Sequence, residues 1–285
     1  MAKITGDFKW QTQDIIPAFP VGIDAKALYE AIEDVKTGDM GYDDENKTFW
    51  GSNPFVAARA DTLLRPLGIR AANLRDLSRP EVMRIVKDNY YTDAPVLVLR
   101  STNDSNSKNL HLVKRVSELV EQKHGKLEMP VMITGFDVAK STGEEAKQGY
   151  GISIIPRDDF TVVADERLSG SYHGKKFNDV DELGLPKFDK NGSRTWYARN
   201  QGLSGLCLYG GLNLDSYSGN LAGSYSYGRV VLVSGEAAGA DFMKQYQAQL
   251  QKDLATKKGE LLAKFQRASV ALDLGYEVAQ KELAK

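Results

Sequence analysis

The chain has 285 residues, of which 42% are hydrophobic and 26% are charged, and its formal net charge is −1. This balance is typical of a globular protein with a sizeable core and excludes a disordered chain. A net charge so close to zero gives no long-range attraction to a phosphate backbone, so we expect no nucleic-acid partner. The one cysteine, Cys207, excludes an intramolecular disulfide framework and a multi-cysteine zinc site.

The first residues, MAKITGDFKWQTQDIIP, lack the continuous apolar core of a signal peptide. No stretch approaches the roughly 20 apolar residues that a membrane helix needs, so we expect no membrane insertion. These two absences predict a cytoplasmic protein, although surface display by a non-standard export route is left open. Nothing in the sequence predicts a cofactor, and Asn213 with Asp215 is too sparse a set of oxygen ligands for calcium.

Residues 1–94 are predicted to be mostly helical. A first helix is expected after Asp24, which can cap it, and a second is expected to begin near Asn53 and to be interrupted by Pro66. A third helix is expected near Pro80, because Ser-Arg-Pro-Glu is typical of a helix start.

The composition changes at Pro95, and residues 95–235 are predicted to form a separate, strand-rich domain. Residues 96–100 and the run after Pro130 are predicted strands, with a helix between them that ends at Gly125. Strand, helix and strand in this order predict a crossover unit packed on a sheet.

Three further segments complete the predicted organisation. Residues 149–155 and 160–164 are predicted to form a hairpin whose turn contains Pro156. Residues 168–193, rich in Gly, Asp and Lys, are predicted to be a long excursion with little regular structure. The chain is predicted to be helical again over residues 236–285.

An apolar seam marks this predicted helical tail. Its members recur at spacings of three, four and seven, as in helical hairpins and coiled coils. They are Leu250, Leu254, Leu261, Phe265, Ala268, Leu272, Tyr276, Ala279 and Leu283. The amino-terminal helices, a hairpin turning at Gly259 or a second copy of the chain can cover the seam, so self-association through these helices is one expectation.

The most unusual stretch is residues 196–234, WYARNQGLSGLCLYGGLNLDSYSGNLAGSYSYGRVVLVS. Its leucines form a regular frame: Leu203, Leu206, Leu208, Leu212, Leu214 and Leu221. Alternation along a strand places Leu206 and Leu208 on one face and Cys207 and Tyr209 on the other. The inward positions are expected to be core: Leu206, Leu208, Leu212, Leu214 and residues 230–233.

The outward positions of this stretch are filled mostly by Tyr, Ser, Gly, Asn and Asp. Tyrosine gives rigid amphipathic contact area and the small polar residues give adaptable hydrogen bonding, which is typical of a binding surface. We expect the outward residues to cluster on one exposed face: Ser204, Cys207, Tyr209, Gly210, Gly211, Asn213, Asp215, Tyr217, Ser218, Gly219, Tyr225 and Tyr227. No Lys or Arg lies among them, which favours a protein ligand over a phosphorylated small molecule.

Residue types that are missing from this stretch carry further information. Between Gly202 and Tyr227 there is no Lys, Glu, Gln, Met or Trp, and the stretch ends in a Gly-Arg-Val-Val strand. In these features it resembles the variable region of the target proteins of diversity-generating retroelements, of the type seen in small-genome bacteria and archaea. In that family, mutation of AAY codons yields Tyr, Ser, Gly, Asp, Asn, Cys or Ala at positions that alternate with a leucine frame.

The resemblance implies an α+β protein with a C-type lectin-like domain and a variable region over about residues 202–228. It implies a non-catalytic protein whose exposed face is diversified to recognise variable ligands. The helical tail is a departure, because such variable regions usually lie at the carboxyl terminus.

An enzyme on a C-type lectin-like scaffold related to formylglycine-generating enzymes is the alternative. Those enzymes depend on paired cysteines, and this chain has one. Cys207 has no basic neighbour along its strand to lower the pKa of its thiol, and Ser204 does not lie in a Gly-x-Ser-x-Gly elbow. Variation among sibling genes confined to the outward positions favours binding, whereas invariance there favours catalysis.

Overall fold

The structure is a computed structural model, and it describes residues 3–5, 15–18, 22–35, 37–45, 48–86, 90–125, 129–235, 255, 258, 259, 261–266 and 269. The chain divides into two compact units, Met1–Gly239 and Ala240–Lys285. The predicted domain boundary between residues 94 and 95 falls inside the first unit. The predicted start of the tail, residue 236, lies close to the division between the two units.

The first unit is a mixed α+β structure with several sheets and few helices. Its helices are α1 (Gly22–Ala31), α2 (Pro54–Leu64), α3 (Pro80–Val86) and α4 (Leu110–His124). Its strands are β1 (Lys3–Thr5), β2 (Ile15–Ala18), β3 (Gly41–Asp43), β4 (Thr48–Trp50), β5 (Ile69–Ala71), β6 (Thr92–Asp93), β7 (Leu97–Leu99), β8 (Val131–Lys140), β9 (Ile152–Ala164), β10 (Ser171–Val180), β11 (Pro186–Phe188), β12 (Arg194–Ala198), β13 (Leu203–Ser204), β14 (Cys207–Tyr209), β15 (Asn213–Ser216) and β16 (Leu232–Gly235).

The described part of residues 1–94 contains six strands beside α1, α2 and α3, so the prediction that these residues are mostly helical is wrong. The expected cap at Asp24 is also wrong, because α1 begins at Gly22, whereas α2 and α3 follow their local sequence signals. Asn53 caps α2 because its side-chain oxygen accepts hydrogen bonds from the backbone N–H groups of Phe55 and Val56, at 3.0 and 2.9 Å. Pro66 lies in the short 3₁₀ turn that follows α2, and Pro80 is the first residue of α3. These starts and stops confirm the predicted positions of both helices.

Two sheets hold most of the described strands. The order of the five-stranded sheet is β1-β9-β8-β7-β13, and that of the six-stranded sheet is β11-β10-β12-β15-β14-β6. A three-stranded sheet, β2-β16-β5, pairs the strand that follows the leucine frame with two amino-terminal strands. Strands from both sides of the predicted boundary at residue 95 therefore share sheets.

The predicted crossover around α4 is wrong. β7 and β8 are adjacent and antiparallel, with Leu97 opposite Ile133 and Leu99 opposite Val131. Hydrophobic periodicity identifies a strand, a helix and a strand, but it does not determine the direction in which the second strand runs.

The predicted hairpin at Pro156 is also wrong, because β9 continues through it as one strand against β8. Pro156 lies opposite Phe136, where the register shifts between Thr134 and Phe136. At this irregularity residues 157–160 of β9 lie opposite the single residue Gly135 of β8, which has φ of 70° and where a Cβ would overlap the backbone of Asp159. A proline is tolerated inside a sheet at such a bulge, so it does not end the strand.

Residues 168–193 are regular, contrary to the prediction. β10 and β11 pair antiparallel, and Asp181 organises the turn between them by accepting hydrogen bonds from the N–H groups of Leu183 and Leu185. Glycine and aspartate occupy the turns, while Phe177, Leu183 and Leu185 supply buried side chains. The average composition of the segment therefore did not reveal which of its residues lie in turns and which are buried.

The core joins the leucine frame to the rest of the first unit. One buried cluster contains Trp196, Phe177 and residues of α3, and it includes Leu206, Leu208, Leu214, Val231 and Val233. Val230 is also buried, so these inward positions are core as expected. Leu212 and Leu232 are half-buried, a correction, and Leu212 lies in a tight turn with φ of 64°.

The second unit is described at ten residues, of which 261–266 are helical. Leu261 and Phe265 from the predicted seam are 67% and 72% exposed. The other seven members of the seam lie outside the described residues, and self-association through them stays a prediction. Among the residues that the structure describes, no helix has the length and apolar character of a membrane span.

Candidate ligand-binding face

Three neighbouring strands of the six-stranded sheet place the candidate residues. β14 pairs antiparallel with β15, where Cys207 lies opposite Asp215 and Tyr209 opposite Asn213. On its other side β14 pairs with β6, where Cys207 lies opposite Asp93. Because side chains of directly opposite residues share one face of a sheet, Asp93, Cys207 and Asp215 form one row.

Eleven of the twelve expected residues are exposed or half-buried, and we call this set the tyrosine face: Cys207, Tyr209, Gly210, Gly211, Asn213, Asp215, Tyr217, Ser218, Gly219, Tyr225 and Tyr227. Tyr225 is the most exposed of its tyrosines, at 59%. Six of the eleven line one cavity: Cys207, Tyr209, Asp215, Ser218, Tyr225 and Tyr227. The alternation with buried Leu208 and Leu214 explains this division between the two faces.

Ser204 is the exception, and the expectation that it is exposed is wrong. It belongs to β13, which pairs with β7 in the five-stranded sheet, and its side chain is fully buried. Its hydroxyl accepts a hydrogen bond from Nη1 of Arg100 at 2.7 Å and lies 2.9 Å from Oγ of Ser216. Ser204 therefore belongs to a buried hydrogen-bond network with Arg100 and Ser216 rather than to the exposed face.

Arg100 is a structural residue that the sequence did not single out. Its guanidinium is buried and also donates hydrogen bonds to the carbonyl oxygen of Leu168 at 2.7 Å and to Oγ of Ser216 at 2.9 Å. Burial, together with the nearby positive charge of Arg199, lowers the pKa of Arg100 to about 9. The neutral oxygens around it fix the ends of β13 and β15 relative to β7.

Polar side chains in the segment that follows β7 also hold residues near the tyrosine face in place by hydrogen bonds. Asp104 accepts hydrogen bonds from Nη2 of Arg199 at 2.9 Å and from the N–H group of Leu203 at 2.7 Å. The side-chain amides of Asn106 and Asn109 both donate to the carbonyl oxygen of Gly219 at 2.8 Å. Polar residues that follow β7 therefore anchor Gly219, in the segment after β15.

Asn213 has a structural role within the tyrosine face. Its side-chain oxygen accepts a hydrogen bond from the N–H group of Thr195 at 2.7 Å, and its amide donates to the carbonyl oxygen of Gly210 at 3.2 Å. Asn213 is half-buried and connects the β14–β15 turn to β12.

Aromatic rings form one wall of the cavity. Tyr225 and Tyr227 are stacked, with ring centroids 5.5 Å apart, and Tyr91 packs edge-on against both at 6.3 and 5.3 Å. The hydroxyl of Tyr91 donates to the carbonyl oxygen of Ser52 at 2.8 Å and accepts from the N–H group of Tyr225 at 3.1 Å. These contacts fix the positions of the three rings relative to one another.

The cavity has a volume of about 270 Å³, and Asp93 is one of the residues that line it. Asp93 is 8% exposed, and its Oδ2 makes no hydrogen bond among the described residues. Burial, and then the charge of Asp215, raises the pKa of Asp93 to about 7, against a hydrogen bond with Ser52 that lowers it. Burial also raises the pKa of Asp215, and burial with both carboxylates raises that of Cys207.

Sequence reasoning missed Asp93 and Tyr91 because both lie far from residues 202–228 along the chain. Pairing of β6 with β14 brings Asp93 to the site, and a bridge to Gly228 brings Tyr91 there. The described residues hold no group of three or more side chains suited to bind a metal ion. Comparison of the chain with models of known families, with curated proteins and with solved structures finds no match.

Proposed function

We propose that this chain is a non-catalytic protein that binds a protein ligand through the tyrosine face. In this proposal the first unit is a C-type lectin-like domain, and a retroelement diversifies the face while the leucine frame stays constant. The observation that carries the proposal is the separation between the two faces of β14 and β15. Leu208 and Leu214 are fully buried, whereas Tyr209 is 46% exposed beside the cavity.

The scaffold beneath the face supports this role. Buried side chains of the core cluster, the hydrogen bonds of Arg100 and those of Asp104 all hold residues of the leucine frame and its strands in place. Substitution of an exposed side chain leaves these contacts in place, so many sequences can share one backbone. Rigid tyrosines lose little conformational entropy on binding, which suits recognition of a protein surface.

A pair of display libraries tests the proposal. The first randomises Cys207, Tyr209, Tyr217, Ser218, Tyr225 and Tyr227 among the residue types found on the face. We expect most members to fold, and different members to be selected by different protein ligands. A control library randomises Leu206, Leu208 and Leu214 among the same residue types, and we expect most of its members to unfold. Equal folding of the two libraries, or no selectable binders from the first, contradicts the proposal.

The enzyme alternative finds less support in this site. A nucleophilic cysteine needs a lowered pKa, whereas the pKa of Cys207 is raised. The described residues that line the cavity include no histidine, lysine or arginine to act as its base or to stabilise an oxyanion.

A further inference from the structure

Every charged side chain in the described lining of the cavity is a carboxylate. Asp93 and Asp215 are the charged residues there, and the remaining lining consists of tyrosines, small residues and apolar side chains. Asp93 keeps one oxygen without a hydrogen-bond partner although the side chain is more than nine-tenths buried. A buried carboxylate oxygen without a partner costs free energy that a donor from a ligand would recover.

The row geometry places the two carboxylates on either side of one ligand position. Asp93 and Asp215 both lie opposite Cys207, so their strands are two strand spacings apart, or about 10 Å. Cys207 between them is small, and the stacked pair Tyr225 and Tyr227 closes the side. Two acceptors facing an aromatic wall are the partners that a planar cationic donor needs.

We propose that this cavity binds the guanidinium group of an arginine side chain presented by a protein partner. This inference rests on the proposed function, because it names the group of the protein ligand that enters the cavity. Guanidinium is planar and weakly hydrated, stacks on aromatic rings and donates several hydrogen bonds in a fixed geometry. The cavity, at about 270 Å³, is smaller than the usual site of a drug-sized ligand and suits one side chain.

The two carboxylates differ in origin. Asp215 belongs to the variable region, whereas Asp93 precedes it on β6. If the region around it is diversified, Asp93 supplies a constant negative charge while the surrounding tyrosines change. Sibling proteins would then share a preference for a cationic anchor and differ in what surrounds it.

Binding of a cation is coupled to the protonation of Asp93. The titratable groups that face it are Asp215, Cys207 and the tyrosines Tyr91, Tyr209, Tyr225 and Tyr227, with no cation among the described lining. With a pKa of about 7, Asp93 is mostly protonated at pH 6 and mostly ionised at pH 8. A guanidinium interacts best with the ionised form, so affinity should rise roughly tenfold over this interval.

Blocked tripeptides with a central arginine, lysine or citrulline test the inference on the full chain. Citrulline keeps the shape of arginine without its charge. Binding is measured by calorimetry at millimolar peptide, the range of a single side chain. At pH 8 we expect arginine to bind at least about tenfold more tightly than citrulline and more tightly than lysine, with the preference over citrulline reduced at pH 6.

The variant Asp93→Asn should lose both the preference for arginine and its pH dependence. Asp158→Asn, which changes an exposed carboxylate on β9, is the matched control and should keep both. Thermal melts establish that each variant is folded. Equal binding of arginine and citrulline, tighter binding of lysine, or an unchanged preference in Asp93→Asn overturns the inference.

The outcomes separate this inference from the proposed function. Protein ligands selected by the face library that bind equally well to Asp93→Asn overturn the arginine site and leave the proposed function standing. Arginine binding that depends on Asp93, in a protein whose face library yields no binders, supports the site and contradicts the proposed function.

Discussion

Arg199 and Asp104 form an ion pair beneath the tyrosine face, with 2.9 Å between Nη2 and Oδ1 and with both side chains largely removed from water. Arg199 also donates to the carbonyl oxygen of Leu203 at 3.0 Å. The pair thereby connects the loop after β7 to Leu203, at the start of the leucine frame. The guanidinium of Arg199 also occupies the space that a side chain at Gly219 would need.

The first prediction concerns two glycines of the face. A Cβ at Gly219 would overlap the guanidinium of Arg199, which Asp104 holds in place, whereas a Cβ at Gly210 meets open space. Gly219→Ala should therefore lower the free energy of unfolding by about 1–3 kcal/mol, and Gly210→Ala should change it by about 0.5 kcal/mol or less. Urea denaturation measures both variants, and equal stabilities would contradict the crowding at Gly219.

A second prediction concerns the ion pair itself. Asp104→Asn leaves the Arg199 guanidinium buried without its counter-ion and should cost about 3–5 kcal/mol of unfolding free energy. The control is Glu144→Gln, because the pair between Glu144 and Lys147 is exposed and should contribute at most about 1 kcal/mol. A loss in Asp104→Asn no larger than that of the control would show that Asp104 does not anchor the face.

The third prediction compares frame and face within one strand. Leu208→Ala removes a fully buried side chain from the core and should cost about 2–5 kcal/mol. Tyr209→Ser changes the next residue, which faces the cavity, and should cost about 0.5 kcal/mol or less. Thermal melts of the two variants give the order, and the reverse order would contradict the alternation.

The fourth prediction concerns pH and stability. The pKa of Asp93 is raised to about 7 in the folded protein, above its value of about 3.9 in the unfolded chain. The folded state therefore binds the proton more tightly, and this contribution to stability is lost as the pH rises towards 7.

Asp93→Asn removes that loss. Relative to the natural protein, the variant should gain on the order of 3 kcal/mol in unfolding free energy between about pH 5 and about pH 8, because the slope of about 1.4 kcal/mol per pH unit ends near pH 7. Urea denaturation at both pH values measures the difference. An equal effect at the two values would mean that Asp93 titrates normally.

Local sequence determined the elements whose signals lie within a few residues. Asn53 and Pro54 start α2 because a capping side chain and a proline satisfy the first turn from within it. The alternation over β14 and β15 separated buried Leu208 and Leu214 from Cys207 and Tyr209, because a strand turns successive side chains to opposite faces.

Pairing between distant segments decided the rest. Ser204 follows Leu203 as Cys207 follows Leu206, yet the strand of Ser204 pairs with β7 in the other sheet and its side chain is buried. Asp93 became part of the site because β6 pairs with β14, and no pattern near residue 93 specifies that partner. The direction of β8 and the continuation of β9 through Pro156 likewise depend on long-range hydrogen bonds and on the irregular register between β8 and β9. Hydrophobic periodicity indicates which side of a helix or strand is buried. It does not identify the segment that packs against that side, because that segment is determined by the whole fold.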